Sequence, residues 1–202
     1  MNLEALLAHP DIARLARSLA LAPGRPVEPE PNMRLAAIAL ILRLGALGEP
    51  ELLLIKRAEA EHDPWSGHVA CPGGRMEPGD RDLAATAFRE THEETGIDLA
   101  GVGKVLGTLD DLSPRTPVLP PIVIRPFVVV VHSKVEIVQS KEVAAAFWVP
   151  LSSLQQATSW RMGTVQVRGI SREVSTFTHG EYLVWGLTER VLKEVLTRLD
   201  HA

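Results

Sequence analysis

Consecutive apolar positions mark two stretches in the first third of the chain. The first is LAAIALILRL, residues 35–44, and the second is ELLLIKR, residues 51–57. A strand with one face in water alternates apolar and polar residues, whereas a strand that is buried on both faces reads as an apolar run. We therefore predict two strands of one sheet that is covered on both of its faces.

Apolar residues at helical spacing mark three further segments. Residues 11–21 form a leading helix with Asp11 as its N-cap, and the acidic segment 82–95 forms a second helix that ends at Gly96 in the C′ position. The segment 182–199 is predicted to be an amphipathic terminal helix. Its apolar face is predicted to consist of Leu183, Leu187, Val191, Val195 and Leu199.

The remaining strands and the connecting segments indicate one α/β domain in layers. Strands are predicted near residues 104–109, 122–132, 145–149, 164–168 and 174–178. The proline-spaced sequence PGRPVEPEP follows the leading helix and is predicted to be an extended tether. We therefore divide the chain into residues 1–33, a helix and its tether, and residues 34–202, the main domain. The leading helix either packs on the core, which we favour, or docks on a partner subunit.

Composition and charge exclude several classes of protein. The 202 residues carry a formal charge of −4 and no basic stripe, so nucleic-acid binding is set aside. Cys71 is the only cysteine, which rules out an intrachain disulfide and fits a cytoplasmic protein. We find no signal peptide and no apolar run long enough to span a bilayer.

The sequence RETHEETG, residues 89–96, places three glutamates near a predicted helix end. The carbonyls there form a negative pole, and each misplaced carboxylate costs about 0.3–1 kcal/mol. Glu90, Glu93 and Glu94 fall within roughly 100° of one another on the helix surface. Such a cluster favours a hard cation such as Mg²⁺ or Mn²⁺, although a solvated acidic face paired with Arg89 is the alternative.

The loop CPGGRMEPGD, residues 71–80, precedes this helix. Its Gly73–Gly74 pair permits backbone geometry that other residues resist, so the loop can approach a ligand closely. The loop and helix together resemble the signature of the Nudix hydrolases, G-x5-E-x7-R-E-U-x-E-E-x-G-U, where U is a bulky aliphatic residue. The residues that carry this resemblance are Gly74, Arg89, Glu90, Glu93, Glu94, Gly96 and Ile97.

The chain departs from this signature in two ways and is similar to one branch of the family. The interval before Arg89 is one residue longer, so the first acidic position falls on either Glu77 or Asp80, and Thr91 takes the first aliphatic position. The longer form PGG-x2-E-x2-D…TA-x-RE resembles the coenzyme A pyrophosphatases. Their upstream signature is matched only in part, with departures at Ile55, His62, an extra residue before Gly67, and Cys71.

The resemblance implies a Nudix-like α/β/α sandwich with a mixed central sheet. It further implies an enzyme that hydrolyses a pyrophosphate bond in a nucleoside diphosphate derivative, with a coenzyme A-like small molecule as the favoured substrate. Mg²⁺ or Mn²⁺ would be held by Glu90, Glu93, Glu94 and the carbonyl of Gly74, while Arg89 orients the glutamates. A homodimer is compatible with the resemblance.

The other site residues have alternatives. The general base is one of the helix glutamates or Glu142 in the loop before the strand AFWVPL. Arg57 and Arg115 bind substrate phosphate, together with the Gly73–Gly74 backbone, or form structural ion pairs. Trp65 stacks on an adenine or packs at the rim. Cys71 is predicted to be a buried, inert thiol.

Other functions also remain open. Within the enzymes, the substrate is ADP-ribose, a reduced dinucleotide or a non-standard nucleoside triphosphate. From other classes, the chain is a nucleotide-sensing module without turnover, or it holds a divalent ion for structure alone. The glutamate cluster, which destabilises its own helix end, argues against a pure binding module.

Overall fold

The computed structural model describes most of the chain. The described residues are 3–61, 65–114, 121–132, 134–167 and 169–200. Arg115 and His62, both named in the sequence interpretation, lie outside these ranges.

A central sheet of mixed direction is formed by seven strands of the described residues. The strands are β1 (Arg34–Leu44), β2 (Pro50–Arg57), β3 (Val69–Ala70), β4 (Gly73–Arg75), β5 (Gly103–Thr108), β6 (Ile122–Val131) and β7 (Val143–Pro150). Strand β1 runs parallel to β6, and the other neighbouring strands pair antiparallel. The prediction of a mixed central sheet is confirmed.

Helices and a second, smaller sheet surround the central sheet. The helices are α1 (Leu3–Ala8), α2 (Pro10–Leu21), α3 (Leu83–Thr95), α4 (Leu99–Val102), α5 (Leu151–Gln155) and α6 (Leu187–Asp200), with a 3-10 turn at Ala157–Ser159. The second sheet consists of β8 (Trp160–Val167), β9 (Ile170–His179) and β10 (Tyr182–Trp185), with β9 in the middle.

The apolar run of β1 is explained by two separate cores, one on each face of the sheet. Ala39 and Ile41 belong to the core beneath α3, whereas Leu40 and Leu42 belong to the larger core on the opposite face. Side chains alternate across a strand, so burial on both sides requires an apolar residue at every position. This arrangement is the α/β/α layering that the sequence predicts.

The N-terminal helices are part of the larger core. Ile12 and Leu15 are fully buried there, and α2 packs against α6 and β5. The proline-spaced segment is held down after the helix: the Gly24 amide donates to the Thr108 carbonyl at 3.1 Å, and the Val27 amide donates to Asp111 at 2.9 Å. This segment is therefore docked along the end of β5, and the helix packs on the core as favoured.

Two predicted helix details are wrong. His9, rather than Asp11, is the N-cap of α2, and its Nδ1 accepts the amide of Asp11 at 3.3 Å. Leu183 lies on β10 instead of the terminal helix, which begins at Leu187. The reason is cross-strand pairing of β10 with β9, which overrides the helical spacing of the sequence.

Candidate active site

Helix α3 carries the acidic residues, and both of its ends follow the sequence prediction. Asp82 is the N-cap and accepts the amide of Ala85 at 2.7 Å. Gly96 has a φ of 72° and its amide donates to the carbonyl of His92 at 2.8 Å. Because this left-handed C-terminal residue stops the helix, Glu93 and Glu94 remain in the last turn.

The glycine loop forms the short strand β4, which lies directly on β1. Gly73 pairs with Ile38, and Gly74 pairs with Ala37. At Gly73 the φ is 149°, and an added Cβ would lie 2.3 Å from the Ala37 carbonyl oxygen. At Gly74 an added Cβ would lie 2.4 Å from the carboxylate carbon of Glu90. Only residues without a side chain fit between the sheet and the acidic helix here.

Glu94 is the most buried carboxylate of the site, with 3% of its surface exposed. One oxygen, Oε2, accepts the amide of Gly73 at 2.9 Å, and the other, Oε1, lies 3.6 Å from Nη1 of Arg57. Burial raises the pKa of Glu94 to about 7, and the neighbouring charges of Glu90 and Glu142 act in the same direction. The hydrogen bond from the Gly73 amide and the charge of Arg57 lower the pKa of Glu94, but they offset only part of this rise.

Arg89 connects two acidic residues of the helix to each other. Its Nη1 lies 3.1 Å from an oxygen of Glu90 and 3.1 Å from an oxygen of Glu93. Burial raises the pKa of Glu90 above its ordinary value, and the charge of Arg89 opposes this rise. Arg89 is therefore an ion-pair partner of both Glu90 and Glu93.

Asp80 is the acidic residue of the loop that reaches Arg89. Its two carboxylate oxygens each lie 3.0 Å from a guanidinium nitrogen, and Oδ2 also accepts the hydroxyl of Thr86 at 2.9 Å. These bonds hold the pKa of Asp80 well below its usual range. Glu77 is exposed and contributes its amide to Asp80 at 2.9 Å. Of the two acidic residues that the sequence offered, Asp80 is therefore the one that contacts Arg89.

Glu142 lies beside the C-terminal end of α3. Its carbonyl accepts the amide of Ala58 at 2.8 Å, and its amide donates to the hydroxyl of Ser140 at 3.2 Å. The amide of Ser140 in turn donates to the carbonyl of Glu94 at 3.1 Å. The exposed carboxylate of Glu142 is thus brought close enough to influence Glu94. Sequence reasoning did not identify Ser140, although Ser two residues before Glu is the spacing of a local serine turn.

The remaining candidates occupy the rim or the core. Trp65 is half-buried, and its carbonyl accepts the amide of His68 at 3.1 Å. The His68 ring in turn lies 4.5 Å from the ring of Trp185. Cys71 is buried, and burial raises the pKa of its thiol to about 12. An un-ionised thiol is a poor nucleophile, in agreement with the predicted inert cysteine.

The donor chemistry of the site fits a hard divalent cation, although the side chains do not converge on one. Among the described residues, no three His, Cys, Asp or Glu side chains are grouped closely enough to hold a metal ion. The glutamates instead pair with Arg57 and Arg89. Carboxylate and carbonyl oxygens are the ligands that Mg²⁺ and Mn²⁺ prefer. The positive charge of a bound cation would stabilise the ionised form of Glu94, which burial disfavours.

A family model described as "NUDIX domain" matches residues 33–166 of the chain. The chain belongs to the Nudix family. Two curated relatives named "Uncharacterized Nudix hydrolase NudL" are each 33% identical to it. The relative from Enterobacter sp. (strain 638) aligns over 83% of this chain and 84% of its own length. The relative from Photorhabdus laumondii subsp. laumondii aligns over 88% of this chain and 91% of its own length.

The Nudix fold is also seen in a solved structure. A Nudix hydrolase from Alicyclobacillus acidocaldarius superposes with a TM-score of 0.56 and 22% identity, covering 82% of this chain and 91% of that one. The predictions of a Nudix fold and of a Nudix pyrophosphohydrolase are confirmed by these matches. Nudix hydrolases act on small nucleotide derivatives and generally need divalent metal ions. Within the described ranges, no helix has both the length and the apolar character needed to cross a bilayer.

Proposed function

We propose that this Nudix hydrolase cleaves the pyrophosphate bond of a coenzyme A-like nucleoside diphosphate derivative, using Mg²⁺ or Mn²⁺. The observation that carries the proposal is the contact between the acidic helix and the glycine loop. Glu94 accepts the Gly73 amide, and Gly74 leaves room for the Glu90 carboxylate. Buried carboxylates beside a backbone that can approach a phosphate are what metal-assisted phosphoryl chemistry requires.

The metal would be held by Glu90, Glu93, Glu94 and the carbonyl of Gly74. When bound, the ion would supply neutralisation of the pyrophosphate oxygens and acidification of the attacking water. Arg89 holds the outer glutamates in place through its contacts with Glu90 and Glu93.

Substrate contacts and proton transfer are assigned to residues around this cluster. Arg57, Arg115 and the Gly73–Gly74 backbone bind phosphate oxygens, and Trp65 stacks on the base at the rim. Glu142 accepts the proton of the attacking water, since its loop is hydrogen-bonded to the end of α3. A helix glutamate is the alternative base.

The preference for a coenzyme A-like substrate is supported by the longer form of the signature. Its acidic positions are Glu77 and Asp80, and its Thr position is Thr86. The Thr86 hydroxyl donates to Asp80 at 2.9 Å, so two positions of the longer form contact each other in the folded loop. We further propose a cytoplasmic enzyme whose residues 1–33 accompany a Nudix domain at 34–202, and a homodimer as its assembly.

Mass-spectrometric product analysis tests this function. The protein and its Glu94→Gln variant are incubated with Mg²⁺ or Mn²⁺ and with coenzyme A, ADP-ribose, reduced dinucleotides and nucleoside triphosphates. Coenzyme A is expected to give a 3′,5′-bisphosphorylated adenosine, and the variant is expected to give none. If the main product is AMP from ADP-ribose, or pyrophosphate from a triphosphate, that nucleotide replaces coenzyme A as the proposed substrate. Absence of cleavage throughout would contradict the proposal and favour a sensing module.

A further inference from the structure

Thr91 lies where the Nudix signature has a bulky aliphatic residue, on the face of α3 that covers the sheet. It is fully buried, as is Ala87 one turn earlier, which belongs to the same core as Ala37 and Ala39 of β1. An aliphatic side chain would contribute only packing at this position, whereas the buried hydroxyl of a threonine must find a hydrogen-bond partner. The departure from the signature therefore places an additional donor between the helix and the sheet.

This hydroxyl donates to the backbone of its own helix. Oγ1 of Thr91 lies 2.7 Å from the carbonyl oxygen of Ala87, and Oγ1 of Thr95 lies 2.6 Å from the carbonyl oxygen of Thr91. Each of these carbonyls also accepts the helical amide four residues later, so it serves two donors. A hydroxyl bond to the fourth preceding residue often bends a helix. The two threonines therefore act on the last turns of α3, which carry Glu90 and Glu94.

The end of α3 is also held from outside the helix. The amide of Val138 donates to the carbonyl of Thr95 at 2.8 Å, and the amide of Ser140 donates to the carbonyl of Glu94 at 3.1 Å. The last carbonyls of a helix have no partner within it, so these two bonds anchor the end of α3 to the segment after β6. Because the end is anchored, the direction of the helix before it depends on the turn that contains Thr91.

The glutamates on these turns have little tolerance for displacement. Oε2 of Glu94 accepts the amide of Gly73 at 2.9 Å, and an added Cβ at Gly74 would lie 2.4 Å from the carboxylate carbon of Glu90. Glu90 directly precedes Thr91, and Glu94 lies three residues after it. A small change in the direction of the helix would therefore move both carboxylates relative to the glycine loop.

We propose that Thr91 is a positioning residue of the active site. Through its bond to the Ala87 carbonyl, its hydroxyl sets the direction of the last turns of α3 and so holds Glu90 and Glu94 against the glycine loop, where they bind the metal ion. This inference rests on the proposed function, in which both glutamates are metal ligands. Groups that orient the ligands of a metal commonly contribute about tenfold to 100-fold to its affinity. Thr91 acts through the glutamates and not on the substrate.

A threonine with a purely structural role would behave differently. If the hydroxyl only satisfies its own need for a partner, valine, which has nearly the same shape, replaces Thr91 without consequence for the glutamates. If the packing of the methyl group is what matters, serine, which keeps the hydroxyl and loses the methyl group, is the damaging change. The positioning role predicts the reverse order, in which serine is tolerated at the site and valine is not.

The test compares Thr91→Val, Thr91→Ser, Glu94→Gln and a matched control, Thr197→Val. The Thr197 hydroxyl also donates to the carbonyl four residues earlier, that of Lys193 at 3.0 Å, but it lies on α6, which packs on the opposite face of the sheet. Free Mn²⁺ is titrated by electron paramagnetic resonance. Hydrogen exchange of the Gly73 amide is measured by nuclear magnetic resonance in the metal-free protein, because this amide donates to Glu94. Thermal melts confirm that each variant folds.

Thr91→Val is expected to bind Mn²⁺ about tenfold more weakly, and its Gly73 amide is expected to exchange about tenfold faster. Its melting temperature should stay close to that of the parent, because the Ala87 carbonyl keeps its helical hydrogen bond and no buried group loses its last partner. In Thr91→Ser and Thr197→Val, both the Mn²⁺ affinity and the exchange rate should stay close to those of the parent.

Provided that Glu94→Gln weakens Mn²⁺ binding, parental affinity in Thr91→Val would overturn the inference. A loss in Thr91→Ser as large as that in Thr91→Val would do the same. If Thr91→Val fails to fold, Thr91→Ala is compared with Thr91→Ser, because these two differ only in the hydroxyl. Equal Mn²⁺ affinities of the alanine and serine variants would then overturn the inference.

The Glu94→Gln variant separates this result from the proposed function. Parental Mn²⁺ affinity in that variant would remove Glu94 from the metal site, and the site assignment of the proposed function would fail. The Gly73 amide then decides about Thr91. An unchanged exchange rate in Thr91→Val would overturn the inference as well, whereas faster exchange would retain Thr91 as the residue that positions Glu94.

Discussion

The backbone amide of Gly73 donates to Oε2 of Glu94 at 2.9 Å, which joins the glycine loop to the last turn of the acidic helix. The bond satisfies a carboxylate that is almost wholly buried. There is no room for a side chain at the two glycines, because the same short strand runs between β1 and the carboxylate of Glu90. The site is built by this close approach, and four predictions follow from its parts.

Gly74→Ala is expected to abolish most of the activity. The added Cβ would lie 2.4 Å from the Glu90 carboxylate, so Glu90 must leave its place. We expect a loss of at least about 100-fold in kcat, the order caused by displacing a group that stabilises the transition state. Gly79→Ala is the control, because nothing lies within 4 Å of its added Cβ. Equal activity of the two variants would contradict the close packing of Glu90 on the loop.

Asp80→Asn is expected to reduce both stability and activity. It removes a carboxylate that bonds Arg89 twice and accepts the Thr86 hydroxyl. The free energy of unfolding should fall by about 1–3 kcal/mol, because the half-buried guanidinium loses a charged partner. Urea unfolding and turnover measure the effect. Glu77→Gln, at the exposed alternative position, is expected to change turnover by no more than about threefold; a larger loss in Glu77→Gln than in Asp80→Asn would reverse the assignment.

Glu94→Gln is expected to change how the metal-free protein responds to pH. Because burial raises the pKa of Glu94 to about 7 in the folded state, this carboxyl favours folding fully below its ordinary pKa and loses that contribution as the pH rises through 7. The glutamine variant should therefore gain stability relative to the parent, by about 2–3 kcal/mol between pH 5 and pH 8. Urea unfolding in the presence of a chelator, repeated at several pH values, measures the difference in the free energy of unfolding between the two proteins. A difference that stays constant from pH 5 to pH 8 would contradict the raised pKa.

Glu142→Gln is expected to lower kcat by about 100-fold to 10,000-fold, the usual contribution of a general base. Its Mn²⁺ affinity should stay close to that of the parent, since Glu142 is not one of the proposed ligands. Ser140→Ala, which removes the hydroxyl that holds the Glu142 amide, should give a smaller loss. Glu136→Gln is an exposed control in the same connecting segment. If Glu142→Gln keeps the full turnover of the parent, Glu142 is not the general base, and a helix glutamate takes that role.

The sequence predicts correctly those helices and strands whose bounds depend on neighbouring residues in the chain. The apolar run of β1 and the left-handed Gly96 at the end of α3 match the sequence prediction. The short strands β3 and β4 and the strand that contains Leu183 were not predicted, because they are defined by pairing with distant segments. The same limit applies in the site. Two acidic residues suited the position before Arg89, and only the folded loop brings Asp80 to the guanidinium.

The electrostatic partners within the site were the least predictable part. Arg57 and Glu94 are far apart in sequence, and nothing near either residue indicates that they pair. Ser140 illustrates the same point, since its bond to the end of α3 depends on where the segment after β6 returns. Contacts of this kind join residues that are distant in sequence, so they can be recognised only once the whole fold is known.

The most direct test of the site is a crystal structure of the Mn²⁺-loaded protein with anomalous diffraction recorded at the manganese absorption edge. The account predicts an anomalous peak among the carboxylates of Glu90 and Glu94 and the carbonyl of Gly74. A manganese peak elsewhere, or none beside these residues at saturating Mn²⁺, would contradict the assignment of this cluster as the catalytic metal site.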